Sequence, residues 1–534
     1  MKEGSGSKTI IGLGTWMDKV AYKVIERERM LGRSLDILRT QAGIAASGIV
    51  HIGSVSDSVR AYAISLAFRN LGYNSEMIQF ADDMDGLRSV PSDIPAETSK
   101  YLLHPVSLIP DPFKCHPSYA EHMEGLLLDA LGKIGIEARL YRGYEVYDRG
   151  LLRQQISLIL RNWRTIGQKI EELTGQSKFR NSMPYFPLCG KCGRIYTASA
   201  SEFDERTGRV FYKCIGVSIK GRYHEGCGYE GESEIAKAEG KLSWKVEWAA
   251  RWAALDIRFE AFGKDLADSV KVNDWVSSEI LGYEPPLHIQ YELFLDETRR
   301  KISKSKGVSV FTPDNWFKYG PPQSLVLLLL KRIKGTRVIS HRLIPALVDE
   351  LDRLAEAYYD NSREPAKAGL YRYIYFLKPP ERKPSTAPYN LLVELAMSAP
   401  KGDEISFIIS RLEKYGYKVD EELKVRAQMA LEYFKTFGQP IRPQIRLDEN
   451  TRAALRDLLE KIQVVESSEA LQGEIFQTAR KHGIPPSTFF QTLYMIFIGQ
   501  PKGPRLGPLL IDDMGRERAA NILDSFLTEA VSNA

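Results

Sequence analysis

Between Asp36 and Tyr73 two hydrophobic rhythms follow one another. Ile37 and Leu38 open a strand-like apolar stretch, and the glycine-rich run QAGIAASGIVHIGS comes next. From Val55 onward apolar residues recur at Val59, Tyr62, Ala63, Leu66, Ala67 and Leu71, a spacing that predicts an amphipathic helix ended by Gly72. Strand-like runs return at MIQFA, which closes on Ala81, and from Ile289 to Leu295. Beyond about Thr312 strand signals almost vanish. LVLLLLKRI, ALVDELDRLAEAYYD, VRAQMALEYFKTF, ALRDLLEKIQ and HGIPPSTFFQTLYMIFIG all have helical spacing or length. The pattern predicts an α/β region that binds a nucleotide, followed by an all-α region.

Size fits that division, because 534 residues exceed what one hydrophobic core serves and suggest three or four domains. The content of 43% hydrophobic and 26% charged residues is that of an ordinary globular protein. No apolar run reaches the ~18 residues of a membrane span; the stretch from Ser324 to Leu330 stops at Lys331 and Arg332. The amino terminus soon meets Asp18, Lys19 and Lys23, which argues against a secretory signal, so a cytoplasmic location without membrane attachment is expected. A net charge of +5 neither demands nor excludes a nucleic-acid partner.

Chemistry enters at the turn before the helix. Small residues at Gly43, Gly48 and Gly53 let backbone amides approach a ligand, and a helix amino terminus attracts anions. His51 can donate to a phosphate oxygen, and Gly53 leaves room for adenine or ribose. Far downstream, RRKISKSKG at 299–307 has five cationic residues in nine. Lys301, Lys304 and Lys306, interleaved with Ser303 and Ser305, suit a triphosphate whose pyrophosphate departs. Asp82, Asp83 and Asp85 follow MIQFA, at a sheet edge where they would hold a substrate amino group or the magnesium of ATP, or else cap a helix or line a solvated turn.

Of five cysteines, Cys115 stands apart and four cluster. Cys189 and Cys192 form a CGKCG knuckle, and Cys214 and Cys227 are the second pair, which points to a structural zinc. Twelve residues separate the second pair, a stretch expected to loop out, with His224 a substitute ligand.

HIGS at 51–54 and KISKS at 301–305 resemble the "HIGH" and "KMSKS" signatures of class I aminoacyl-tRNA synthetases. SGIVHIGSVSD, DDMDGLRSVPSDIP, PDPFKCHPSYAEH, KLSWKVEWAARW, GKDL at 263–266 and GPRLGPLL at 503–510 narrow the resemblance to the class I lysyl-tRNA synthetases. The resemblance implies that Gly48, His51, Gly53, Ser54, Lys301, Ser303, Ser305 and Lys306 bind ATP, with His51, Lys301 and Lys304 catalytic. It implies that Gly43, Trp244 and Tyr291 line the amino-acid pocket, with Asp82 and Asp83 assigned there too. The chain departs from the family pattern at Ala45, Ala46, Ser54 and Ser56, and at Leu266, which replaces a histidine.

The domains implied are a Rossmann-like catalytic domain in two halves, 1–120 and 241–311, split by an acceptor-end insertion with a zinc ribbon at 121–240. A connecting segment at 312–345 and a helical anticodon-binding domain at 346–534 complete the chain. The implied activity is ATP-dependent activation of L-lysine and its transfer to tRNA, with magnesium accompanying ATP and no role for DNA. A class I synthetase of other specificity, glutamyl-like, and a non-catalytic tRNA-binding paralogue are the alternatives.

Overall fold

The computed structural model describes residues 10–300, 312–360, 364–438, 445 and 447–532. The stretch after Asp36 forms the strand Leu38–Ile44, the centre of a five-stranded sheet in which every neighbouring pair is parallel. The order across the sheet is Leu287–Tyr291, Ile257–Gly263, Leu38–Ile44, Ser75–Ala81 and Arg139–Arg142. From the central strand the chain first builds one way and later the other, so the order reverses between Leu38–Ile44 and Ile257–Gly263. Such a reversal leaves a crevice at the carboxyl ends of the two strands.

All seven residues of Ile257–Gly263 are buried, as a parallel strand covered on both faces requires. Successive strand residues point to opposite faces. Ile78 packs with Trp248 and Trp252, whereas its neighbour Gln79 accepts from the Ser58 hydroxyl at 2.7 Å. The helices Trp244–Leu255 and Ile52–Asn70 therefore cover opposite faces of the sheet. Ile52–Asn70 is buried almost all round, and its Ser58, Ala61, Ala63, Ser65 and Ala67 are small enough to let it lie close to the strands.

The stretch 121–240 holds one surprise. Its Arg139–Arg142 is the edge strand of the central sheet, only four residues long with two arginines, too short for a pattern to announce. The rest of that stretch supplies the helices Gly143–Asp148, Arg153–Arg161 and Trp163–Thr174 and then small antiparallel pieces. Tyr185–Pro187 pairs with Gly240–Leu242, and Ala198–Asp204, Arg209–Cys214 and Glu230–Glu234 make a three-stranded sheet.

Two compact units result. The first comprises Met1–Pro313, Val326–Ser340 and Arg363–Pro379, the second Asp314–Leu325, His341–Ser362 and Pro380–Ala534. The helix Pro365–Ile374 belongs to the first because Tyr373 donates to the buried Asp18 carboxylate at 2.6 Å. Among its described residues the second unit is helical throughout. Asp420, Asp448 and Ser467 each cap a helix by accepting the N–H three residues on, a contact worth about 1 kcal/mol.

An ion network fastens the strand Gly240–Leu242, where the insertion ends, to the sheet. Lys241, 2% exposed, reaches Asp85 at 2.5 Å and Glu247 at 3.0 Å, and Arg251 bonds Glu247 at 3.1 Å and Asp82. Tyr147 donates to Glu247 at 2.8 Å and accepts the Leu242 N–H at 2.9 Å. Removing one member of such a set leaves buried charge uncompensated. Lys241→Met should therefore cost about 3–5 kcal/mol of stability, read by urea unfolding. A loss below ~1 kcal/mol would show that the network does not hold the insertion.

Candidate active site

At the reversal point the ends of three parallel strands and one helix amino terminus enclose a cavity of about 370 Å³. Gly43, Ile44 and Ala45 come from the central strand, and Gly263, Asp265 and Leu266 from its neighbour. Tyr291, Leu293 and Phe294 close the far side, and His51, Gly53, Ser54 and Asp57 present the helix start.

His51 is the cap of the helix Ile52–Asn70, and its Nδ1 accepts the Ser54 N–H at 3.3 Å. With Nδ1 an acceptor, the neutral ring carries its proton on Nε2 and so remains a donor. Gly53 is required by that ring, since a Cβ there would lie 2.8 Å from His51 Nδ1 and Cε1. Cap, dipole end and donor together suit an anion.

Across the cavity Tyr291, 8% exposed, donates its hydroxyl to Asp57 Oδ1. Burial pushes the Asp57 carboxyl up to about 7, against the lowering effects of the Tyr291 bond and of Arg60. Tyr291, Leu266, Leu293 and Phe294 supply apolar wall, so the cavity sets an acid in an apolar slot one helical turn from the helix start.

Of the residues expected from sequence, Gly43, His51, Gly53, Ser54 and Tyr291 line this cavity. Gly48 is buried in the turn before the helix and is not in the lining. Trp244 lies against Trp248, ring centres 4.5 Å apart, also outside the lining. Asp82 sits behind Gly43, where a Cβ would be 3.8 Å from its Oδ2, but is bonded to Arg251. Asp83 accepts the Tyr144 N–H at 2.7 Å. Lys301, Ser303, Lys304, Ser305 and Lys306 lie outside the described residues. The described chain runs from Phe294 in the cavity wall to Arg300, whose N–H bonds Asp296 at 2.9 Å. Leu266 faces the cavity from the cluster of Trp252 and Phe262. Asp57 and Asp265 are additions, and Asp57 had a signal: it follows Ser54 by three residues, on the face of the helix that Ser54 presents.

The four clustered cysteines converge, with ligand atoms within 4.8 Å of one another. Cys189 and Cys227 are 3.5 Å apart and Cys192 and Cys214 3.9 Å. A tetrahedron of 2.3 Å zinc–sulfur bonds has edges of about 3.8 Å, so the set fits zinc. The residues between Cys214 and Cys227 form a hairpin, Gly216–Ile219 with Arg222–Glu225. Lys220 and Gly221, at φ +49° and +79°, make its two-residue turn with both φ positive. Gly226 then packs against the Cys214 carbonyl, where a Cβ would be 2.3 Å from the oxygen, so the chain returns beside Cys214. His224 pairs within the hairpin opposite Val217 and is not in the cluster. Cys115 does not stand alone: its Sγ lies 3.3 Å from Asp111, 3.2 Å from His116 and 3.1 Å from His122. These four form a second group able to hold a metal.

Residues 14–378 match the sequence profile of the tRNA synthetases class I (K). A lysine–tRNA ligase of Cenarchaeum symbiosum (strain A) is 44% identical over 522 residues, 96% of this chain and 98% of its own length. A lysine–tRNA ligase of Rickettsia bellii (strain RML369-C) is 30% identical over 481 residues, 88% of this chain and 90% of its own.

Gly53→Ala should displace the His51 ring and weaken ATP binding about tenfold or more, while leaving unfolding unchanged. Unaltered ATP affinity would remove His51 from the anion site. Elemental analysis of purified protein should find zinc, and Cys189→Ser together with Cys214→Ser should lower its stoichiometry by one.

Proposed function

The chain belongs to the class I lysyl-tRNA synthetases, the class I (K) family whose profile spans most of it, and from that premise we propose that it activates L-lysine with ATP and transfers it to tRNA. What supports lysine in particular is the acid Asp57 in an apolar slot beside a helix-cap anion site. The methylene stem lies along Tyr291 and Leu266, and the ammonium pairs with Asp57. Among the described residues no lysine or arginine lines the cavity, and a glutamyl-type pocket needs one to pair its carboxylate.

The amino-acid carboxylate attacks the α-phosphate of ATP, forming the adenylate and releasing pyrophosphate. No protein nucleophile takes part. His51 Nε2–H and the helix amino terminus stabilise charge on the phosphates, and Lys301 and Lys304 neutralise the departing pyrophosphate. Magnesium, brought with ATP, supplies further charge neutralisation. A tRNA ribose hydroxyl then attacks the activated carbonyl. The insertion serves the acceptor end, with its cysteine cluster holding a structural zinc, and the Asp111, Cys115, His116 and His122 group where the insertion begins can hold a second metal. The second unit serves the anticodon. No described helix is long and apolar enough to cross a membrane.

Amino-acid-dependent ATP–pyrophosphate exchange should run with lysine and not with glutamate. Exchange with no amino acid would replace this reading by that of a tRNA-binding paralogue. Lys301→Ala should depress adenylate formation far more than tRNA affinity, and equal loss of both would make Lys301 structural. With Asp57 at about 7, the lysine-binding carboxylate is protonated as pH falls. The lysine KM should therefore be about tenfold higher at pH 6 than at pH 8, with kcat/KM bending near 7. A flat profile would sink Asp57 as the ammonium partner.

A further inference from the structure

The acid assigned to the ammonium is itself braced from behind, by a residue outside the cavity. Arg60, one turn along the helix from Asp57, is 1% exposed. Its guanidinium carbon lies 4.1 Å from the centre of the Tyr291 ring and 5.8 Å from that of Phe294. Nη1 donates to the buried Ser56 hydroxyl and, at 3.5 Å, to the Ser56 carbonyl, Nε has no hydrogen-bond partner, and no carboxylate lies within 4.0 Å of the group among the described residues. Burying a cation so sparingly paired is costly, and an aliphatic side chain would fill the space at less expense.

What the charge does acquire is the face of Tyr291. A guanidinium over a phenol ring is attracted to the ring's negative face and fixes its plane. It also draws electron density from the ring, which makes the hydroxyl a better donor, and that hydroxyl is bonded to Asp57. We propose that Arg60 is a positioning residue for the amino acid: stacked behind Tyr291, it holds the phenol so that Asp57 presents its carboxylate to the substrate's ammonium. This rests on the reading of Asp57 given above.

The groups facing Asp57 agree with it. Tyr291 comes from the strand Leu287–Tyr291, Glu260 from the adjacent strand and Asp265 from the turn beyond it, while Arg60 and His51 belong to its own helix. Both neighbouring acids raise the Asp57 carboxyl, and Arg60 supplies the opposing positive charge. Arg337 sends a second guanidinium to the Phe294 ring, at 6.0 Å, but its donors are committed to the Leu328 and Arg332 carbonyls. That leaves Arg60 as the cation behind Tyr291.

The test is lysine-dependent ATP–pyrophosphate exchange with the full chain carrying Arg60→Met, Arg60→Lys or Asp57→Asn. Arg60→Met should raise the lysine KM about tenfold, leave the ATP KM and kcat within about twofold, and move the bend in the kcat/KM pH profile upward. Arg60→Lys, which keeps a cation on the ring, should recover most of the loss. A rise in both KM values together, or an unmoved bend, would reduce Arg60 to a packing residue and overturn the proposal. Should Arg60→Met fail to fold, Arg60→Lys carries the test: an unchanged lysine KM and bend overturn it, and a rise of about threefold with a shifted bend supports it. Asp57→Asn separates the two readings. If it leaves the lysine KM unchanged, the Asp57 assignment fails and the Arg60 proposal with it. If it raises the KM while neither Arg60 variant does, only the Arg60 proposal fails.

Discussion

Parallel pairing of Leu38–Ile44 with Ile257–Gly263 joins segments more than two hundred residues apart, and the site depends on that seam. Gln41 and Glu260, 219 positions apart in sequence, meet inside it, Nε2 donating to Oε2 at 3.0 Å. Glu260 also accepts the Trp252 indole N–H at 2.5 Å, so the helix laid over the sheet is bonded to the same carboxylate. Burial raises Glu260 to about 6, a cost that these donors offset. With the register set there, the strands that end at Ile44 and Gly263 both deliver their last residues to the cavity, and the helix that begins at Ile52 points its amino terminus into the gap.

Sequence reading succeeds where one segment contains its own signal. The helix after Val55, the glycines before it and the cysteine pairs are all local, and Gly53 is explained by a ring two residues away. It falls short where partners are distant or where aromatic residues look alike. Trp244 and Tyr291 both suit an aromatic pocket, yet only the second lies at a strand end beside the cavity, and spacing cannot distinguish them. Asp82 and Asp83 do emerge at a sheet edge, but Arg251 and the Tyr144 amide take up their oxygens, through residues far along the chain. The hairpin between Cys214 and Cys227 was hidden behind its length: a Lys-Gly turn with two positive φ angles returns the chain, so twelve residues separate the thiols by only a few ångströms.

A zinc at the cysteine cluster would answer a size problem. The small antiparallel pieces between Tyr185 and Leu242 bury few side chains of their own, and around the cysteines the buried set is Cys189, Ala198, Tyr212 and Cys214. So small a core cannot offset the conformational entropy of the loops it orders. Four thiolates on one ion would, while the Lys241–Glu247–Arg251 network fixes the end of the piece to the sheet.

Replacement of a histidine by Leu266 fits an electrostatic mode of selection. Burial leaves the Asp57 acid near neutral pKa, and a cation of the right reach would favour its anion. On the proposed reading, binding lysine would displace the Asp57 proton, whereas a neutral amino acid of similar length would leave that acid with the Tyr291 hydroxyl but no cation. Discrimination of that kind comes from a polar group left without its partner, which penalises the wrong ligand more than a lost apolar contact does. A leucine in the cavity wall would take nothing from that selection, since an apolar wall keeps water from such a pair.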